Sequence, residues 1–234
     1  DGIDIVDCNG VKLTNSFFDA TDDAICLKSH DPKSICQNIE VSNCVARSSA
    51  SGIKFGTASR GGFRNIKMTN IKVYDTYRSA IAIQAVDGGL VENITIDSLH
   101  SYNTANVIFL RIGERYEGEK AKLNNVTISN VYAEVPAGKP DAGYEYLPRN
   151  ISPASITGLP GQYVTNVTLK NITIVYPGGG NPNYAKVGTD AKSLNAIPEM
   201  PKAYPEFSQF KELPAWGFYI RHAKGITFDN VTLT

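Results

Sequence analysis

Short runs of alternating apolar and polar residues recur along the chain, each closing on a small polar residue. Val11-Lys12-Leu13-Thr14-Asn15 is followed by Ile39-Glu40-Val41-Ser42-Asn43, Ile66-Lys67-Met68-Thr69-Asn70 and Ile94-Thr95-Ile96-Asp97-Ser98. Val126-Thr127-Ile128-Ser129-Asn130, Val167-Thr168-Leu169-Lys170-Asn171 and Ile226-Thr227-Phe228-Asp229-Asn230 continue the series. A period of two predicts strands with one apolar face. Val11 to Ile39 spans 28 residues, Ile39 to Ile66 27 and Ile66 to Ile94 28, and the later steps lengthen to 32, 41 and 59. A second short strand lies 14 or 15 residues into each unit: Ile25-Cys26-Leu27, Ile53-Lys54-Phe55, Ile81-Ala82-Ile83 and Ile108-Phe109-Leu110. Phe218-Tyr219-Ile220 resumes that series.

One such unit cannot bury its own apolar face, whereas stacked units can. Like residues then lie about 4.8 Å apart, and Asn15, Asn43, Asn70, Asn130, Asn171 and Asn230 form a ladder that Ser98 interrupts. The expected fold is all-β, a right-handed parallel β-helix forming a single domain over residues 1–234, with almost no helix. The Asn-x-Thr triplets at Asn93, Asn125, Asn166, Asn171 and Asn230 read as strand and ladder residues rather than glycosylation acceptors. Two long loop insertions are expected, at about 134–163 and 176–214. The second is rich in proline and glycine and carries Tyr184, Tyr204, Phe207 and Phe210, which suits a surface loop or a wall over a cleft. Residue 1 falls inside a motif, so further coils are expected before it.

Composition narrows the function classes. Lys plus Arg and Asp plus Glu number 23 each, for a net charge of zero. That balance gives no global footprint for nucleic acid or a membrane surface. No apolar run reaches the roughly 18 residues of a spanning helix. Cys8, Cys26, Cys36 and Cys44 match no zinc spacing, and read as small buried apolar residues with a disulfide as the alternative.

The candidate chemistry lies where acids meet the second strand. Asp22-Asp23 directly precede Ile25, and Asp1 stands 21 residues before Asp22, which places it one coil below. Paired carboxylates serve glycoside hydrolysis, one as proton donor and another as activator of water; a calcium site is the rival use of such a cluster. Beside them, positions alternating with the core form outward columns. One column is Lys28, Gly56, Gln84, Arg111 and Arg221; another is Cys26, Lys54, Ala82, Phe109 and Tyr219; Arg78 lies in a third. Basic groups on one face suit a polymer bearing carboxylates.

The stretches Asp1-Gly2-Ile3-Asp4 and Asp22-Asp23 resemble the first two signature blocks of glycoside hydrolase family 28, the polygalacturonases and rhamnogalacturonases of pectin breakdown. Gly52-Ile53-Lys54-Phe55-Gly56-Thr57 and Val86-Asp87-Gly88-Gly89 are similar to rhamnogalacturonase-like members. The resemblance implies a pectin-lyase-like solenoid, inverting hydrolysis, Asp23 as acid, and Asp1 with Asp22 holding the water. It also implies Lys28, Lys54, Arg78, Gln84, Arg111, Arg221 and Ser51 as substrate-binding positions. Neither metal nor cofactor is expected, and the partner is a pectic polysaccharide or oligosaccharide, with no nucleic acid and no membrane. A secreted or periplasmic monomer is the matching expectation. The chain departs from the pattern in two blocks. Ala50-Ser51-Gly52 stands where the family has Gly-His-Gly, and Ala82-Ile83-Gln84 where it has Arg-Ile-Lys. Loss of those cations favours a rhamnogalacturonan-type substrate over homogalacturonan. The alternatives are a polysaccharide lyase on the same scaffold and a non-catalytic pectin-binding β-helix.

Overall fold

The apolar positions of the first series stack in register. Val11 lies beside Ile39, Ile39 beside Ile66, and the column runs on through Ile94, Val126, Val167 and Ile226. This is a computed structural model, describing residues 1–138, 153–178, 187–210 and 213–234. In chain order the strands are β1 (Ile3–Val6), β2 (Asn9–Thr14), β3 (Phe17–Ala20), β4 (Ile25–Ser29), β5 (Cys36–Ser48), β6 (Ile53–Ser59) and β7 (Gly62–Ala85). They continue as β8 (Leu90–Ile112), β9 (Lys122–Glu134), β10 (Ala154–Thr157), β11 (Val164–Val175), β12 (Phe218–Arg221) and β13 (Ala223–Leu233). All thirteen join one large parallel sheet, and the molecule is nearly all-β. The helical elements among the described residues are α1 (Ala191–Asn195) and a 3₁₀ turn at Phe207–Phe210. No helix among them is long and apolar enough to cross a membrane.

The second series pairs as the alternation requires, Ile3 with Ile25, Ile25 with Ile53, Ile53 with Ile81 and Ile81 with Ile108. At the next step Phe218-Tyr219-Ile220 rejoins the series as expected, with a strand before it that the sequence reading did not name. Phe218-Tyr219-Ile220 does not follow Ile108 directly, because β10 stands between them, pairing with β8 on one side and β12 on the other. The insertion at about 134–163 therefore contains a strand, and of the remainder residues 139–152 lie outside the described residues. The second insertion, likewise, is not wholly loop: α1 and the 3₁₀ turn fall within it, while 179–186 and 211–212 lie outside the described residues.

Both apolar columns meet in one cluster, in which Ile25, Leu27, Ile53, Phe55, Ile81 and Ile108 pack with Ile39, Ile66, Ile94 and Val126. Burying each such side chain contributes about 1.5–3 kcal/mol. Cys26, Cys36 and Cys44 are buried and all four cysteines are free thiols, so the disulfide alternative does not apply.

The turns are set by asparagine. Asn43, Asn70, Asn130, Asn171 and Asn230 all adopt left-handed φ of 52–55°, a conformation asparagine tolerates better than most residues. The Asn70 amide donates to Asn43 at 2.8 Å, Asn171 to Asn130 at 3.0 Å and Asn230 to Asn171 at 2.9 Å. At the Ser98 interruption Asn130 donates instead to Asp97, at 2.7 Å. A second ladder joins Asn9, Asn38, Asn65, Asn93 and Asn125. Asn70→Ala is expected to lower stability by about 2 kcal/mol, from the lost hydrogen bond and the left-handed backbone together. Denaturant unfolding measures it. Asn70→Gly, which keeps the backbone unstrained, should lose less; an equal loss would assign the whole effect to the ladder.

Candidate active site

The acids are brought together by pairing of β1 with β4. The Gly2 N–H donates to the Asp23 carbonyl at 2.8 Å and the Ile3 N–H to Ala24 at 3.0 Å, so Asp1 sits directly against the Asp22-Asp23 turn. The close approach needs glycine at position 2, where a Cβ would lie 2.6 Å from the Ala24 carbonyl oxygen. The Asp23 N–H is shared between Asp1 Oδ1 at 3.2 Å and Asp22 Oδ1 at 2.9 Å. One oxygen from each of Asp1, Asp22 and Asp23 lies within 4.8 Å of the others.

The three carboxylates differ in surroundings. Asp22 is exposed, whereas Asp23 is buried. Asp23 Oδ1 accepts from the Ser51 N–H at 2.8 Å, and Oδ2 faces the Lys54 ammonium at 3.4 Å. The Asp1 carboxylate pairs with Lys28, which also reaches Asp4 Oδ1 at 2.8 Å. Burial opposes the charge on Lys28, but its hydrogen bond to Asp4 and nearby negative groups raise its pKa above the ordinary value. The same contest acts on Lys54, where burial is outweighed, chiefly by the neighbouring Asp23 carboxylate, again raising the pKa. Both lysines are therefore held as cations.

The oxygens of Asp1, Asp22 and Asp23 are close enough together to hold one divalent cation, although Lys28 and Lys54 already lie against two of them. A second grouping, Asp1, Asp4 and Cys26, is a poor one. Burial first, and Asp23 next, push the Cys26 thiol up, so it stays protonated.

The positions expected to hold substrate fall into two sets. Ser51, Lys28 and Lys54 adjoin the acids, and Arg78 joins them through Tyr204. The Tyr204 ring stands 5.5 Å from Lys54 Nζ, 6.0 Å from the Arg78 guanidinium and 5.9 Å from that of Arg115. Gln84, Arg111 and Arg221 are instead occupied by the second insertion. Gln84 Nε2 donates to the Pro205 carbonyl at 2.5 Å. Arg111 donates to the Glu199 and Met200 carbonyls, the latter at 3.3 Å, and its guanidinium lies 5.0 Å from the Phe210 ring centroid. Burial pushes its pKa down to about 10, against the pull of Glu199. Arg221 donates to the Ile197 carbonyl and pairs with the Glu199 carboxylate, each at 2.9 Å.

The alternation correctly put Cys26, Lys54, Ala82 and Phe109 opposite the core, but they are not solvent-facing. All four are buried. Phe207, Phe210, Ile197 and Leu213 pack with Ala82, Ala105 and Phe109 into a second apolar cluster. The insertion is thus a wall laid on the sheet, and it delivers Tyr204, still 46% exposed, beside the acids' lysine. Sequence reasoning named Tyr204 only as one aromatic of the insertion, and it missed Arg115 and the Lys28 contact of Asp4. The sole advance signal for Asp4 was its place in the first acidic turn.

No family model matches the chain, and no curated protein matches it.

Proposed function

We propose that the chain is a glycoside hydrolase acting on an acidic pectic polysaccharide or oligosaccharide, with rhamnogalacturonan preferred over homogalacturonan, on a right-handed parallel β-helix. The observation that carries the reading is the convergence of Asp1, Asp22 and Asp23 within 4.8 Å, edged by two cations. The β-helix is supported by seven apolar positions in parallel register, the first four of them 27–28 residues apart, together with the strong preference of parallel crossovers for the right-handed sense. Secretion to the cell exterior or periplasm, as a monomer, belongs to the same reading.

In this mechanism Asp23, ion-paired with Lys54 at 3.4 Å in the free chain, takes up a proton as substrate binds and gives it to the glycosidic oxygen, while Asp1 and Asp22 hold the attacking water. Tyr204 offers a ring against which a sugar can pack, and Lys28 lies next to the acids for a neighbouring carboxylate. A lyase using a lysine or arginine as its base would need that group deprotonated to take the proton next to a carboxylate. Lys28 and Lys54 are both held charged, which favours hydrolysis.

The test is incubation with matched pectic oligosaccharides and resolution of the products by mass and ultraviolet absorbance. Saturated products are expected, whereas unsaturated, absorbing ones would identify a lyase. The anomer released first, read by NMR, is expected to be inverted; retention would overturn the roles given to Asp1 and Asp22. Ala82 and Gln84 are covered by the second insertion, but Ser51 supplies no cation beside Asp23, where a lost charge-assisted hydrogen bond to galacturonate is worth about 1.5–3 kcal/mol. The expected kcat/KM therefore favours the rhamnogalacturonan oligosaccharide by roughly tenfold or more, and a preference for homogalacturonan would refute the substrate assignment.

A further inference from the structure

We infer that the chain carries a second binding groove, for a carboxylated saccharide, lined by none of the acids Asp1, Asp22 and Asp23. The cavity has a volume of about 510 Å³, within the usual range for ligand sites. It lies at the turns leading into β8, β9, β11 and β13, the first strands of their units, whereas Asp22 and Asp23 precede a second strand. Lys120, Lys122, Lys224, Tyr163 and Asn124 line it.

Its charge is unbalanced in a way that points to an anion. Glu92 is the carboxylate on the wall, and Arg64 already holds it at 2.7 Å. Glu114, just behind Gln162, accepts from the Gln162 amide at 2.9 Å. Among the described residues Lys120, Lys122 and Lys224 have no ion-pair partner. Three cations therefore converge on a concave surface whose one acid is already engaged.

The aromatic component selects a sugar over a simple anion. Tyr163 is 38% exposed, with Lys224 Nζ 4.0 Å from its ring centroid and the His222 ring edge-on at 6.3 Å. A ring beside an ammonium offers an apolar surface next to a carboxylate partner, which a uronate can use on both sides. Asn124 Oδ1 accepts from Thr165 and from Asn166, each at 2.8 Å. Its NH₂ group has no acceptor among the described residues and is available to a hydroxyl. A polymer held here and at the acids would gain from the raised effective concentration of its second contact. The choice of uronate as ligand rests on the proposed hydrolase reading; the groove does not.

The test uses the full chain carrying Asp22→Asn, to suppress turnover, titrated with a galacturonate oligosaccharide and followed by NMR at Tyr163 and Asn124. Neutral gluco-oligosaccharide and inorganic phosphate serve as separate probes. Lys122→Ala with Lys224→Ala is expected to weaken the shifts at the groove about tenfold, and Tyr163→Ala to weaken the oligosaccharide more than phosphate. With Asp22 restored, the double variant should keep kcat on a short substrate and raise KM on the polymer. Galacturonate shifts unchanged in the double variant, or phosphate binding as tightly as the oligosaccharide, would overturn the proposal. Groove binding without any hydrolysis would leave the groove standing and remove the hydrolase reading; hydrolysis with unaltered groove variants would do the reverse.

Discussion

On the proposed hydrolase reading, Asp23→Asn is expected to lower turnover on pectic oligosaccharides by about 10²–10⁴-fold, the usual contribution of a general acid. Asparagine preserves the shape of the side chain and can still accept from the Ser51 N–H, which now bonds Asp23 Oδ1 at 2.8 Å. What it cannot do is carry the proton to the leaving oxygen. The same exchange at Asp22 separates the roles. Asp22 is exposed, so Asp22→Asn should reduce turnover with almost no change in unfolding, while Asp23→Asn should affect both. Initial rates on one defined oligosaccharide, beside denaturant unfolding of each variant, make the comparison. An Asp23→Asn variant within a few-fold of wild type would place the acid elsewhere. Substrates with an activated leaving group, which need little protonation, should recover most of the loss in Asp23→Asn and little in Asp22→Asn.

How far the sequence could be read follows from how local each signal is. The column from Val11 to Ile226 was legible because alternation repeats in every unit and the spacing is near-constant in the early ones, and the observed register matches it position for position. The asparagines at the turns were legible for the same reason. Strand β10 was not. Ala154-Ser155-Ile156-Thr157 has one large apolar side chain, and its neighbours on both sides are far away in sequence. The covering of the second face was also beyond local pattern. Alternation placed Lys54 and Phe109 off the core, but Phe207 and Tyr204 reach them from roughly a hundred or more residues later. The proximity of Asp1 to Asp22 and Asp23 needed only the register of adjacent units. The diversion of Arg111 and Arg221 to the carbonyls of residues 197–200 needed the long-range fold.

Lys54 is where the site's chemistry and the fold's stability meet. Its side chain is 1% exposed and that of Asp23 7%, so each is the other's compensation for lost water. Removing one partner of such a buried pair typically costs about 3–5 kcal/mol, because a charge stays buried without its counterpart. Lys54→Ala is therefore expected to cost about that much, leaving Asp23 stranded beside a hole. Asp23→Asn should also be destabilising, since it strands Lys54. The combination Asp23→Asn with Lys54→Met removes both charges and fills the space, and it should be more stable than either Asp23→Asn or Lys54→Ala. Its turnover should not recover. Because its pKa is raised in the folded chain, the Lys54 contribution is complete below the lysine's ordinary pKa of about 10.4. It fades as pH climbs through the higher folded value. Wild type should accordingly lose stability relative to the double variant only at strongly alkaline pH, and unfolding curves of both from pH 7 upward measure the difference. Single and double variants of equal stability would mean that the 3.4 Å contact is not an ion pair of consequence, and the placement of Lys54 against the acid would lose its energetic basis.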